Sequence, residues 1–212
     1  MTDETRALCG IPAHETLSHH LHNKKMAVLQ VNALFKKAAP APAKKAAPAK
    51  KGLFQKKAAP APKKAALLDQ QRSMFRPRIQ GLFVGQDFAM RNSDPIIHNV
   101  RSLSQENRPF NIAQPAGTPD RLKRFSDQEG PIELRCDYHR WMRAFIFVMK
   151  HPFFDVTDTQ GRFSIKNLPP GEYTLATWHE SFGENKQTLK VGGSGLNNAN
   201  FTYKAKKGLN FE

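Results

Sequence analysis

The 212-residue chain holds only two cysteines, Cys9 and Cys136. Two thiols cannot make a disulfide framework, so any domain here must be held by its core, and cysteine usage leaves the redox compartment open. No apolar run approaches the length needed to cross a bilayer. Residues 26–31 are too short, and are interrupted by Gln30, to act as a secretory h-region. A phosphate-cradling glycine loop, a Ser/His/Asp order and a haem Cys-x2-Cys-His motif are all missing. The only His-x-His pair is His20-Leu21-His22, where a multicopper oxidase would need several. Acidic residues are absent between residues 16 and 68, and nearly all the aromatics lie beyond that stretch.

These absences divide the chain in two. Residues 1–68 carry 13 Lys and Arg against three acids, and the remaining residues carry 20 against 15. The second part is ordinary globular sequence, enough for one domain of about 140 residues. The first part begins with a polar stretch bearing His14, His19, His20 and His22. From residue 33 to 66 it becomes Lys/Ala/Pro low-complexity sequence with a near-repeat, Leu34-Phe35-Lys36-Lys37 echoed by Leu53-Phe54-Gln55-Lys56. Frequent proline excludes a stable helix, and lysine self-repulsion favours an extended, solvated tail over residues 1–66. Three roles fit such a tail. It could be a basic targeting leader, similar to the Lys/Ala/Pro-rich N-termini of some plastid-imported proteins. It could be a polyelectrolyte arm for nucleic acid or an anionic membrane. It could be a passive spacer.

From Phe75 onward the pattern is that of strands. Residues 78–84 and 88–92 flank a Gly85-Gln86 turn, and 96–102 follows the turn at Asn92-Ser93-Asp94-Pro95. A long Pro/Asn/Gln-rich loop is expected over 104–120, then a strand at 121–125. In 131–136 the alternation sets Ile132, Leu134 and Cys136 on one face. Residues 144–149 are apolar throughout and suit a fully buried strand. Further strands are expected at 153–156, 161–165, 173–179, 188–191 and 199–203. Short, turn-punctuated spacing of this kind predicts an all-β sandwich or Greek-key barrel.

The chemistry concentrates in Cys136-Asp137-Tyr138-His139-Arg140-Trp141-Met142, which sets a thiol, an imidazole and a thioether at i, i+3 and i+6 of one short loop. His98-Asn99-Val100 lies 38 residues upstream. Soft sulfur combined with imidazole selects copper over magnesium, calcium or manganese, and two His, one Cys and a weak axial Met make the donor set of an electron-transfer copper site. Zinc is disfavoured because a thioether is a poor zinc ligand. A dinuclear copper site would need a second Cys in the loop. Against all this stands a structural alternative, in which Cys136 is a buried core thiol and Met142 a core filler. A Cys136–His139 catalytic dyad is also conceivable, but gives Met142 no role. His151, His179, Glu133 and Glu180 fit structural hydrogen bonds better than an extension of the site.

Residues 79–149 resemble a cupredoxin, the blue copper fold. In that family the first ligand often occurs as His-Asn-Val, and the Cys-x2-His-x2-Met loop is the short form of amicyanin-like proteins. The resemblance implies His98, Cys136 and His139 as equatorial copper ligands, Met142 as the axial one, and Asn99 as a strut to the Cys loop. Arg91-Asn92-Ser93-Asp94-Pro95, Arg108-Pro109-Phe110-Asn111 and the Cys136 loop together look like a methylamine-utilisation-like, plastocyanin-like bacterial group. In that group the sandwich runs on into a carboxypeptidase-regulatory-like segment, here residues 151–203. The fold expected is therefore a Greek-key, cupredoxin-like β-sandwich over residues 67–212 with additional C-terminal strands, preceded by the disordered tail. Arg135 and Arg140 depart from the family pattern.

The function this implies is carriage of single electrons by one type 1 copper ion, without enzymatic turnover. A copper-handling module without fast electron transfer, and an interaction module with a basic anion-binding arm, are the competing classes. A redox partner with an acidic docking face would meet Arg140, Trp141 and Arg143, with Arg101 and Arg108 nearby. Cupredoxins usually work outside the cytoplasm, so a periplasm-like compartment, or an organelle reached through the leader, is the expectation.

Overall fold

The computed structural model describes residues 62–195 and 199–203, and the backbone of residues 28–32. Every regular element among them is a strand. In chain order these are β1 (Val28–Asn32), β2 (Ala66–Gln70), β3 (Phe75–Arg76), β4 (Ile79–Phe83), β5 (Phe88–Asn92), β6 (His98–Ser102) and β7 (Asn111–Gln114). They continue with β8 (Arg121–Lys123), β9 (Glu129–Arg135), β10 (Arg143–Met149), β11 (Phe154–Val156), β12 (Gly171–His179) and β13 (Gly183–Val191).

Three sheets result. One has the order β4-β10-β9-β6-β7, a second β3-β2-β5-β8, and the third β11-β1-β12-β13. The first two face each other as a sandwich, since Leu68, Phe88 and Met90 of one share a single buried cluster with Leu82, Val100, Ile132, Leu134, Ala144, Ile146 and Val148 of the other. The expected alternation holds: Ile132, Leu134 and Cys136 are all buried. The all-β sandwich with additional C-terminal strands is thus the observed fold.

Strand β10 is buried on both faces, which is why it reads as a continuous apolar run. Its even-numbered residues Ala144, Ile146 and Val148 line the sandwich. On its other face, Phe147 and Met149 join Ile79 beneath Phe154, Val156 and Trp178 of the third sheet. Phe145 and Phe147 meet Trp178 with ring centroids 4.9 and 5.4 Å away. Two glycines permit this contact. A Cβ on Gly81 would lie 2.2 Å from the Phe154 ring, and one on Gly130 would lie 2.4 Å from Phe147. The C-terminal segment is therefore a separate layer packed on the back of the sandwich.

Several local expectations change. Residues 28–32 fall inside the stretch read as a structureless tail, yet they form β1 and pair antiparallel with both β11 and β12. Their apolar and β-branched composition suits a strand, and those two strands leave a gap one strand wide. Strand β2 was missed because its Ala66-Leu67-Leu68 is not β-branched and follows the lysine-rich stretch; its buried face is Ala66, Leu68 and Gln70. Strand β7 lies within the expected long loop. Conversely, residues 161–165 form no strand. Side-chain oxygens of Asp158 and Asp155 accept the Arg162 and Ser164 amides, which a ladder would otherwise use. Residues 199–203 also form no strand, and attach by side chains: Phe201 packs on the Tyr173, Leu175 and Val191 cluster, and the Tyr203 hydroxyl lies 2.5 Å from that of Thr177. Of the stretch 1–66, the described residues are 28–32 and 62–66, and the rest lies outside them.

Candidate metal centre

The site lies at one end of the sandwich and follows from strand register. Strands β6 and β9 pair with Arg101 opposite Arg135, so the residues just past β9 run alongside the start of β6. Asn99 fixes this alignment. Its side-chain oxygen accepts the Asp137 amide at 2.7 Å, and its Nδ2 donates to Asp137 Oδ2 at 2.9 Å and to Asn111 Oδ1 at 2.6 Å. These bonds tie Asn99 to the Cys136 loop. Residues 136–142 close the turn between β9 and β10, with Cys136 N–H donating to Met142 O at 3.3 Å and Met142 N–H donating to His139 O at 2.9 Å.

This places His98, Cys136 and His139 together, their ligand atoms all within 4.8 Å of one another. The two Nδ1 atoms are 3.0 Å apart, and Cys136 Sγ lies 4.0 Å from His98 Nδ1 and 3.9 Å from His139 Nδ1. His98 is fully buried, Cys136 is nearly so, and His139 is half-buried. These separations suit three donors that share one first-row ion at about 2.0–2.3 Å from each. Met142 is completely buried and belongs to the same core cluster as Cys136.

The electrostatics favour a thiolate between imidazoles. Burial alone would raise the Cys136 pKa. The His98 hydrogen bond and the backbone amides of Asn99, His139 and Tyr138 outweigh it and hold the thiol below its ordinary range. For His98, burial disfavours the cation, but Cys136 and Asp94 more than offset it, so its pKa is raised. His139 is shifted the other way, by burial first and then by the neighbouring His98.

Sequence reasoning gave Asp94 no role at the site, placing it in a turn and in the Arg91–Pro95 segment of the resemblance. Its Oδ2 lies 2.9 Å from His98 Nε2. A carboxylate there accepts the Nε2 proton and turns Nδ1 towards Cys136. The available signal was the four-residue spacing from Asp94 to His98, which is too common to stand out.

The proposed docking residues differ among themselves. Arg140 and Arg143 are exposed, with Arg143 Nε 3.2 Å from Glu133. Arg101 lies 3.5 Å from Asp137, and Arg108 is exposed. Trp141, expected on an exposed rim, is half-buried instead. Its indole donates to Ser73 O at 3.0 Å, and its ring stands edge-on to His139 at 5.2 Å. Tyr138, which was not singled out, is 56% exposed beside the site. His151, His179, Glu133 and Glu180 are not in the cluster. Glu180 instead pairs with Arg78 at 2.5 Å.

No protein-family model matches the chain, and no curated protein matches it. Solved structures do. A copper-containing nitrite reductase from Thermus scotoductus SA-01 is 19% identical over 39% of this chain, with a TM-score of 0.36. The chain spans only 22% of that reductase. A purple cupredoxin from Nitrosopumilus maritimus is 20% identical, covering 40% of this chain and 99% of its own, with a TM-score of 0.34. An amicyanin mutant in its oxidized form is 18% identical over 44% of this chain and 90% of its own, with a TM-score of 0.37. Among the described residues, no helix is long and apolar enough to cross a membrane.

Proposed function

We propose that this chain is a cupredoxin-like protein that binds one type 1 copper ion and carries single electrons between redox partners. The observation that carries this reading is the convergence of His98 Nδ1, Cys136 Sγ and His139 Nδ1 into one cluster, with His98 and Cys136 buried and His139 half-buried. Met142, from the same loop, is the proposed weak axial ligand. A thiolate with two imidazoles suits copper in both oxidation states, and bound copper would supply the one-electron chemistry.

The protein's part is to hold the donors still and keep water away. Cys136 and Met142 belong to the same buried cluster as Val100, Leu134 and Ile146. Asn99 and the Met142 carbonyl fix both ends of the Cys loop. Rigid, dry donors lower the rearrangement that accompanies electron transfer. Electrons would leave through the half-buried edge of His139. Exposed Arg140, with Tyr138 beside it, offers a small positive, partly apolar rim for an acidic partner. No step in this reading requires substrate turnover.

Titration of the full chain with Cu(II), followed by visible absorption and electron paramagnetic resonance, tests it. The expected result is an intense thiolate-to-copper band that saturates at one equivalent with small hyperfine splitting. A colourless complex, or one with no defined stoichiometry, would overturn the reading.

A further inference from the structure

Residues 71–74 form a tight turn between β2 and β3, closed by reciprocal backbone bonds between Gln71 and Met74 at 3.0 and 3.2 Å. Two of its residues, Arg72 and Ser73, have φ of 54° and 50°. Non-glycine residues rarely adopt this left-handed conformation, and two in succession need outside support. The support comes from the metal centre's surroundings. Asp94 Oδ1 accepts the Arg72 amide at 2.6 Å, and Asp94 Oδ2 accepts the Ser73 amide at 2.7 Å. The Ser73 carbonyl accepts the Trp141 indole.

These bonds close a loop around the site. His98 donates to Asp94, Asp94 holds Arg72 and Ser73, Ser73 holds Trp141, and Trp141 stands edge-on to His139. Asp94 is itself seated, since its own amide donates to Asn92 Oδ1 at 3.1 Å. Asn92 in turn donates to the carbonyls of Ile96 and Gln114, both at 2.8 Å. Through Asp94 and Trp141, the β2–β3 turn connects the groups that orient both imidazoles.

We propose that the Gln71–Met74 turn, Asp94 and Trp141 form a clamp that fixes the tautomer of His98 and the ring orientation of His139, making Asp94 and Trp141 positioning residues for the metal centre. The proposal rests on the copper reading for its purpose, but not for its geometry, which can be read in metal-free protein. One carboxylate serves three donors. Losing it frees the His98 proton to move to Nδ1 and releases the left-handed turn at the same time. An asparagine side chain can still accept from His98 and Ser73 through its oxygen, but presents an NH2 to the Arg72 amide.

The test uses the full chain and the variants Asp94→Ala, Asp94→Asn and Trp141→Phe, each checked for retained strand structure by its amide NMR spectrum. Long-range proton–nitrogen NMR of metal-free protein reports which ring nitrogen carries the proton. The clamp requires His98 to be protonated at Nε2 in the parent, spread over both nitrogens in Asp94→Ala, and back at Nε2 in Asp94→Asn. Copper affinity should fall about 10- to 100-fold in Asp94→Ala. Trp141→Phe should shift the His139 ring resonances and leave those of His98 in place. If the parent takes up no copper and the His98 proton still moves on Asp94→Ala, the clamp stands and the copper reading falls. If copper binds equally well to parent and Asp94→Ala, and the His98 proton stays at Nε2 in both, the clamp is overturned.

Discussion

The central five-stranded sheet presents two different ends of one design problem. At the loop end, buried polar groups gather: His98, Asn99 and Gln114 are all nearly inaccessible. Each is tied down by side-chain bonds. Gln70 Nε2 donates to Gln114 Oε1 at 2.9 Å, and Gln114 donates to Met90 O at 3.0 Å, linking the two sheets of the sandwich. On the back of the same sheet, Ile79, Phe147 and Met149 meet Phe154, Val156 and Trp178 in an apolar layer, flanked by the Arg78–Glu180 ion pair. The polar end gains orientation at the cost of desolvating donors and acceptors, while the apolar back gains stability from area alone. A site needs fixed directions, and only hydrogen bonds supply them; a layer interface needs adhesion.

This contrast predicts separable losses. The largest effect should come from Cys136→Ser, which removes the soft donor and leaves a side chain of similar shape. Its thiolate-to-copper band should vanish completely, with the midpoint of urea unfolding for metal-free protein moving little; a retained band would remove Cys136 from the site. Next is Phe147→Ala on the back face, expected to cost about 3–5 kcal/mol through lost burial and the cavity left behind. Its absorption and resonance spectra should keep the parent's form after copper loading. Altered spectra in that variant would show that the third layer shapes the site, and the contrast between the two ends would fail.

The smallest effect concerns Glu129, which braces the loop after β6. Burial disfavours its charge, but the Gln105 amide, the Ser104 hydroxyl and the Asn107 side chain and amide all donate to it and hold its pKa at about 2. The folded value lies below the ordinary glutamate value of about 4.3. The stabilisation is therefore complete above that value and is lost as pH falls towards 2. Glu129→Gln should lower the melting temperature at pH 7, with the gap to the parent closing as pH drops from about 4.5 to about 2. A gap independent of pH would mean that shape, not charge, matters there.

Much of the site was legible because its spacing is local. Cys136, His139 and Met142 share one seven-residue loop, and a tight turn between strands leaves few ways to arrange them. The strand alternation from Ile132 to Cys136 also pointed the thiol inward, as observed. Asp94 was not legible, since an Asp before Pro reads as a turn residue, and its bond to His98 depends on how β6 leaves that turn. Nor was the left-handed pair Arg72-Ser73, because neither residue signals positive φ as glycine would. The expected strand at 161–165 failed because Asp155 and Asp158 satisfy its amides locally, a competition that composition does not reveal.

By itself the sequence determined the all-β character, the contrast in composition between a lysine-rich, acid-poor stretch and ordinary globular sequence, and which side chains share the Cys136–Met142 loop. Alternation, turn residues and short-range spacing are local properties, and they act before the chain closes on itself. The tertiary structure alone decided that β10 pairs parallel with β4, that residues 28–32 insert between β11 and β12, and that Asp94 and Trp141 meet on one turn. These are contacts between residues far apart in the chain, chosen by register and packing, and no short stretch of sequence contains both partners.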